Sequence, residues 1–145
     1  MTSLPYATSS VDVVLEKATL DALLAAERSQ WRVSKTTSDL VDRTLCEVSR
    51  VLKPGGRFLS HTFAQAHFRL PFYARPEYGW SVGCRELADA QEGFHFYYYG
   101  MVKGGALDEA WVTERLKVGS LQIQGDEEAT MSDDGDADYF GNMDL

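Results

Sequence analysis

The stretch TTSDLVDRTLCEVSRVLKPGGRFLSHTF, Thr36–Phe63, decides how this sequence folds. Its first part carries apolar side chains at positions i, i+4, i+7 and i+11, namely Val41, Leu45, Val48 and Leu52. This spacing places them on one face of an α-helix. Hydroxyl and carboxylate side chains at 36–39 cap its start, and Pro54-Gly55-Gly56 ends it. The segment Arg57–Phe63 then has the composition of a β-strand that follows the helix directly.

A second strand precedes this helix. Val11–Leu15 is a short apolar run interrupted only by Asp12, which predicts a strand covered on both faces. The segment Thr19–Glu27 has leucines at helical spacing and supplies part of the connection. A strand, a helical connection and another strand with short joints predict a parallel βαβ unit.

The second half of the chain contains a predicted antiparallel hairpin, Trp80–Leu87 and Phe94–Val102, around the turn ADAQEG. The second of these strands has bulky side chains on both of its alternating faces over residues 94–99, which favours a central strand between two helix layers. Before the hairpin, Pro71 and Pro76 predict an irregular loop over Ala64–Tyr78. After it, Asp108–Leu116 is predicted to be a short helix.

The charge of −8 is concentrated at one end of the sequence. Eight of the 22 acidic residues, and none of the 14 Lys and Arg, lie after Gly125. The rest is therefore neutral and offers no basic surface typical of a nucleic-acid partner. We expect a folded domain over residues 1–124 and an acidic, mostly disordered tail over 125–145.

Several functional classes are disfavoured by what the sequence lacks. No apolar run approaches the roughly 20 residues that span a bilayer, and the first residues do not have the pattern of a secretory signal, so we expect no membrane partner and a cytoplasmic location. Two cysteines are too few for a disulfide scaffold. The three histidines match no zinc-binding spacing, and the sequence contains neither HExxH nor G-x-S-x-G, so no metal site is predicted.

Glu16 and Lys17 follow the first predicted strand and form one candidate site. Ligands of open α/β sheets bind outside the carboxyl ends of parallel strands, where a carboxylate can accept a hydrogen bond from an amine or a hydroxyl. The alternative interpretation is a solvated charge pair at the start of a helix. The pattern alone leaves both open.

The loop HFRLPFYARPEYGW, His67–Trp80, forms a second candidate site. It concentrates aromatic side chains near two arginines, and aromatic faces can hold an alkyl-ammonium group by cation–π attraction. The candidate substrate-binding residues are Phe68, Tyr73, Tyr78 and Trp80. The alternative is that these side chains pack onto the sheet.

Two segments, DVVLEKATLDALLA and EVSRVLKPGGRFL, resemble the C-terminal half of a class I S-adenosylmethionine-dependent methyltransferase. The pattern LEK-x-TLDALL is narrower and is similar to the methyltransferase-13-like group of protein-lysine methyltransferases. The resemblance implies an α/β fold with a Rossmann-like sheet of seven strands in the order 3-2-1-4-5-7-6. This chain would hold only strands four to seven, ending in the antiparallel hairpin.

The resemblance also implies roles for the candidate residues. Glu16, Lys17 and Ala18 would lie beside the cofactor S-adenosylmethionine, with Thr19 and Asp21 as further candidates at the helix start. The aromatic loop would face the incoming lysine of a protein substrate, possibly elongation factor 1A. The family usually has glycine at the position of Ala18, where an added methyl group intrudes on a close backbone approach.

A larger departure is that these 145 residues contain no glycine-rich G-x-G loop after a strand, which in the family cradles the cofactor. We therefore expect a truncated product with little or no methyl transfer by itself. The alternative is a non-catalytic binding or regulatory fragment that acts through its exposed sheet edge.

Overall fold

The computed structural model describes residues 3–29, 32–88 and 95–117. Its strands and helices are β1 (Val11–Lys17), α1 (Thr19–Leu24), α2 (Lys35–Val51), β2 (Leu52–Thr62), α3 (Ala66–Tyr73), a 3-10 turn (Pro76–Tyr78), β3 (Trp80–Ala88) and β4 (His95–Lys103). Residues 109–117 are also helical, as predicted. The predicted acidic tail, 125–145, lies outside the described residues.

The four strands form one sheet in the order β1-β2-β4-β3. β1 and β2 are parallel, and β4 runs antiparallel to both β2 and β3. This is the order 4-5-7-6 that the resemblance implies, with strand seven antiparallel, so the predicted fold class is confirmed.

Helix α2 is the connection that makes β1 and β2 parallel. Ser34 caps it, because its hydroxyl oxygen accepts a hydrogen bond of 3.3 Å from the amide of Thr37. The predicted apolar face is buried, with exposed fractions of 1% at Val41, 0% at Leu45 and 6% at Val48. The helix ends at Val51, and β2 begins at the next residue.

All the described helices contribute to one core on a single face of the sheet. Side chains of the three helices pack against side chains of three strands there, including Leu20, Leu45, Leu70, Phe58, Val82 and Met101. Trp111 and Leu116, from the last helical segment, pack against the same cluster. The layers are therefore one sheet and one helix layer.

The opposite face of the sheet, which we call the open face, is not covered by any described helix. It carries the alternate strand residues Val13, Leu15, Lys17, Arg57, Leu59, His61, Ser81, Gly83, Arg85, Leu87, Phe96, Tyr98, Gly100 and Val102. Leu15 is 67% exposed and Tyr98 is 40% exposed. We predicted that β1 and β4 are each covered on both faces. In the described part of the chain they are covered on one face only, so this prediction is wrong there.

The prediction of an irregular loop over Ala64–Tyr78 is also wrong, because this segment contains α3. Pro71 lies inside the helix, where its ring removes one backbone hydrogen bond. The burial of Leu70, Phe72 and Tyr73 against the sheet offsets that cost, which lies on the order of 3 kcal/mol.

A polar network joins α1, β2 and α3 at the end of the sheet. Asp21 Oδ1 accepts a hydrogen bond of 2.5 Å from the Thr62 hydroxyl and forms an ion pair with the guanidinium of Arg69. The Arg69 side chain is 6% exposed. A buried charge of this kind is costly unless it is paired, so Asp21 holds Arg69 in place.

Ala18 joins β1 to α1 in the left-handed backbone region, with a φ of 56°. This conformation costs an L-residue about 1–2 kcal/mol, whereas glycine adopts it freely. We predict that Ala18→Gly raises the free energy of unfolding by about 0.5–1 kcal/mol, since glycine's own entropy cost takes back part of the gain. Urea unfolding measures the change.

Ala25→Gly is the matched control for this prediction, because Ala25 has a right-handed helical φ of −63°. It should lower the free energy of unfolding. Equal loss of stability in both variants would contradict the strain assigned to Ala18.

We predict that Asp21→Ala lowers the free energy of unfolding by about 3 kcal/mol, because it leaves the buried Arg69 guanidinium unpaired. The double variant Asp21→Ala with Arg69→Met should recover part of this loss. The control is Asp39→Ala, which breaks an exposed pair with Lys35 and should cost less than about 0.5 kcal/mol. Equal losses for Asp21→Ala and Asp39→Ala in urea titrations would rule out the assigned role of the buried pair.

Candidate functional site

The carboxyl ends of β1 and β2 lie side by side, with Lys17 opposite His61 in the register. α1 starts two residues after β1 ends, and α3 starts four residues after β2 ends. Open α/β sheets bind ligands outside such strand ends, so this edge is the candidate site. The sequence-predicted residues Glu16, Lys17 and Ala18 are all located here.

The carboxylate of Glu16 lies inside the core. Its Oε1 accepts a hydrogen bond from the Ser60 hydroxyl, and its Oε2 accepts one of 2.9 Å from the amide of Thr19. The residue is 9% exposed. Glu16 therefore positions the start of α1, and its carboxylate is already occupied by groups of this chain.

Tyr73 completes this buried cluster. Its hydroxyl lies 2.7 Å from the Ser60 hydroxyl and donates a long hydrogen bond of 3.5 Å to Glu16 Oε1. Burial raises the pKa of the Tyr73 hydroxyl well above its ordinary value, so the hydroxyl keeps its proton and remains a donor. The cluster joins the two parallel strands to α3 without an exposed charge.

Lys17 and Ala18 differ from Glu16 because they face outward. The Lys17 side chain is exposed on the open face, opposite in direction to that of Glu16, as successive residues of a strand are. The Ala18 amide donates a hydrogen bond of 3.0 Å to the His61 carbonyl. A ligand at this strand end would therefore meet the Lys17 side chain and the backbone around Ala18. Their cofactor-binding role stays a prediction.

A cavity of about 460 Å³ opens beside this edge, between α1, the end of β2 and α3. It is lined by Asp21, Leu24, Ala25, Glu27, Val33, Phe63, Ala64, Gln65, Phe68, Arg69 and Phe72. Three phenyl rings thus share a wall with two carboxylates and one guanidinium. Hydrogen bonds from Thr37 and Ser34 lower the pKa of Glu27, so this carboxylate is ionised at neutral pH.

Two buried polar atoms of the cavity lining have no hydrogen-bond partner among the described residues, Asp21 Oδ2 and Arg69 Nε. Such atoms are rare in folded proteins because each carries a desolvation cost of about 1–3 kcal/mol. The ion pair of Asp21 and Arg69 therefore leaves one buried acceptor and one buried donor unsatisfied behind the cavity wall.

The predicted substrate-binding aromatics separate into two groups. Phe68 lines the cavity. Tyr73, Tyr78 and Trp80 are only 0%, 1% and 2% exposed and belong to the core. The Trp80 indole donates a hydrogen bond of 2.9 Å to the Tyr73 carbonyl. For these three residues the packing alternative describes the structure, because their rings are part of the hydrophobic core on the helix side of the sheet.

Phe63, Phe72 and Arg69 are cavity residues that the sequence analysis did not select. Phe68 and Phe72 are four positions apart, which is a helical spacing. That signal was hidden by Pro71, which favoured a loop over a helix. The predicted strand included Phe63, whereas β2 ends at Thr62. Phe63 therefore follows the strand and lies beside the cavity.

Other kinds of site have no support in the part of the chain that the structure describes. No cluster of three or more His, Cys, Asp or Glu side chains is placed to hold a metal ion there. Among the same residues, no helix is long and apolar enough to cross a membrane.

Comparison with known proteins identifies relatives of this chain. No protein-family model matches the chain. Over 105 residues, 72% of its length, it is 50% identical to EEF1A lysine methyltransferase 4 from Mus musculus, of which it covers 40%. Over 108 residues, 74% of its length, it is 49% identical to the Bos taurus protein of the same name, of which it covers 41%.

A more distant relative is eEF1A lysine and N-terminal methyltransferase from Homo sapiens. It is 39% identical over 95 residues, which are 63% of this chain and 12% of that protein.

Two solved structures are similar to this one. A DNA modification methylase from Thermus thermophilus has a TM-score of 0.49 and 17% identity, over 72% of this chain and 50% of its own. A SAM-dependent methyltransferase from Methanosarcina mazei has a TM-score of 0.44 and 16% identity, over 70% and 63%. At these values neither structure bears on function.

The chain spans only about two fifths of the length of the first two sequence relatives. Half of the aligned residues are identical over nearly three quarters of this chain. The strand order 4-5-7-6 is the one implied by the resemblance. Over nearly three quarters of its length the chain is therefore similar to proteins named EEF1A lysine methyltransferase 4, and its sheet has the strand order that the resemblance to class I S-adenosylmethionine-dependent methyltransferases implies.

Proposed function

We propose that this chain is part of an S-adenosylmethionine-dependent protein-lysine N-methyltransferase that acts in the cytoplasm on elongation factor 1A. The observation that carries the proposal is the 50% identity to a relative named for this substrate. The cavity beside the strand ends supports it, because the cavity combines acidic and aromatic groups.

The cavity suits the side chain of a substrate lysine. Phe63, Phe68 and Phe72 offer apolar surface to the four methylene groups and π faces to the ammonium. The carboxylates of Asp21 and Glu27 in the cavity lining attract the charged end.

S-adenosylmethionine, when bound, supplies an electrophilic methyl group. The chemistry it would supply is transfer of that methyl group to a neutral lysine nitrogen, with the lysine proton lost to water and S-adenosylhomocysteine as the leaving group. This chain's residues contribute proximity, orientation and exclusion of water. Lys17 and the backbone around Ala18 lie at the end of β1 and would form one side of the cofactor site.

The described residues supply only part of a binding site for S-adenosylmethionine. The Glu16 carboxylate is engaged with Ser60 and Thr19 and is unavailable to a ribose. The sequence has no glycine-rich loop after a strand. We therefore propose that a protein made of these 145 residues alone has little or no transferase activity and that further residues complete the cofactor site.

The alternative function is a non-catalytic binding or regulatory fragment. It rests on β1, which pairs only with β2 among the described strands and so presents unpaired backbone groups along its other side. An edge of this kind can accept a strand from another chain.

A transfer assay with labelled S-adenosylmethionine and purified elongation factor 1A tests both proposals. The 145-residue chain is compared with a chimaera in which the N-terminal part of the mouse relative precedes it. We expect labelling by the chimaera only. Micromolar cofactor binding by the 145-residue chain would overturn the fragment proposal, and a folded chimaera that binds cofactor but labels no lysine would favour the alternative.

We predict that Phe63→Ala in the active chimaera lowers kcat/KM for the protein substrate about fivefold, because a cation–π contact contributes on the order of 1 kcal/mol. Phe63 is 58% exposed, so its removal should leave the fold intact. Tyr6→Ala is the matched control, since Tyr6 is 56% exposed and does not line the cavity. If the two variants have the same kcat/KM for the protein substrate, the cavity does not bind the substrate lysine.

A further inference from the structure

The Glu16 carboxylate lies at the end of a series of hydrogen bonds that begins on α3. Its Oε1 accepts the one proton of the Ser60 hydroxyl. The Tyr73 hydroxyl, 2.7 Å from the Ser60 oxygen, is then the donor in that second contact. Burial raises the pKa of Tyr73, so the hydroxyl keeps the proton that it donates. The hydrogen bonds therefore run in one direction, from Tyr73 through Ser60 to Glu16.

The same carboxylate fixes the turn between β1 and α1. Glu16 Oε2 accepts a hydrogen bond of 2.9 Å from the Thr19 amide. Between these two residues, Ala18 has a φ of 56°. A non-glycine residue keeps such a conformation only where surrounding contacts hold it. These contacts include the Thr19 bond and one of 3.0 Å from the Ala18 amide to the His61 carbonyl.

The side chains of this series are closed to a ligand. Tyr73 and Ser60 are 0% exposed and Glu16 is 9% exposed. A buried carboxylate depends on its hydrogen bonds, and the loss of one donor disturbs the others. A change at Tyr73 is therefore transmitted to the turn, although Tyr73 itself lies in the core.

We propose that Tyr73 is a positioning residue for the cofactor site. Through Ser60 and Glu16 it fixes the turn Lys17–Thr19, against which S-adenosylmethionine binds. This inference rests on the function proposed above. Tyr73 also follows Phe72, which lines the cavity, so α3 contacts both the cavity and the residues that hold the cofactor turn. The helix thereby sets the distance between the methyl donor and the substrate lysine, on which the rate of transfer depends strongly.

Tyr73→Phe in the chimaera tests the proposal, because it removes the hydroxyl and keeps the ring. We expect the dissociation constant of S-adenosylhomocysteine, measured by titration calorimetry, to rise about fivefold, the effect of losing one neutral hydrogen bond. KM for S-adenosylmethionine should rise by a similar factor. KM for the protein substrate should not change, because the Asp21–Arg69 pair still holds the cavity wall. Hydrogen exchange at the Thr19 amide, followed by NMR, should become about fivefold faster.

Tyr78→Phe is the matched control. Tyr78 is 1% exposed, and its hydroxyl donates a hydrogen bond of 2.5 Å to Asp42, outside this series. This variant should lose stability but bind S-adenosylhomocysteine as the unchanged chimaera does. Ser60→Ala interrupts the series one step later and keeps Tyr73, so it should reproduce the effects of Tyr73→Phe. It decides the question if Tyr73→Phe does not fold.

Unchanged affinity for S-adenosylhomocysteine in Tyr73→Phe and Ser60→Ala would overturn the proposal. An equal loss of affinity in Tyr78→Phe would also overturn it, because the effect would then be a general loss of stability. So would weaker binding with unchanged exchange at Thr19, since the turn would then not be involved.

The same measurements separate this inference from the proposed function. A chimaera that binds S-adenosylhomocysteine in a Tyr73-dependent way but labels no lysine contradicts the proposed function alone. A chimaera that labels lysine with the same KM for S-adenosylmethionine in every variant contradicts this inference alone. A folded chimaera that binds no S-adenosylhomocysteine contradicts both.

Discussion

The burial of one face of α2 against the sheet is the constraint on which the rest of this structure depends. Val41, Leu45 and Val48 can leave water together only if the helix lies along one face of the sheet. Such a helix brings the chain back to the end of the sheet where β1 begins. β2 therefore runs parallel to β1. Both carboxyl ends then meet at one edge, and that edge brings Glu16, Lys17 and Ala18 next to the residues that follow β2.

The sequence was sufficient to predict the elements with a strong periodic signal. The apolar spacing of α2 and the run at Val11–Leu15 predicted the βαβ unit, and the aromatic strands predicted the antiparallel hairpin. α3 could not be predicted in the same way, because local preference and tertiary packing oppose each other at Pro71. Burial of the neighbouring side chains decides the outcome, and burial depends on residues distant in sequence.

The candidate site was predictable in position but not in side-chain direction. Glu16 and Lys17 lie at the predicted strand end, yet adjacent strand residues face opposite sides of a sheet. Which of them enters the core depends on the hydroxyls of Ser60 and Tyr73, and these come from β2 and α3. The same limit applies to the aromatic loop, where the observed α3 divides Phe68 at the cavity from Tyr73 in the core.

Two energetically unfavourable local features lie at this same edge of the sheet. Ala18 holds a backbone conformation that favours glycine, and the Asp21–Arg69 pair leaves one buried acceptor and one buried donor unused. Ser9 is the other non-glycine residue with a positive φ in the described chain, and it lies in the N-terminal segment. Folded proteins keep costly local features of this kind mainly where function requires them. A core built only for stability would pair these two atoms or replace both residues with apolar ones, so these features support the proposal of a functional site beside the ends of β1 and β2.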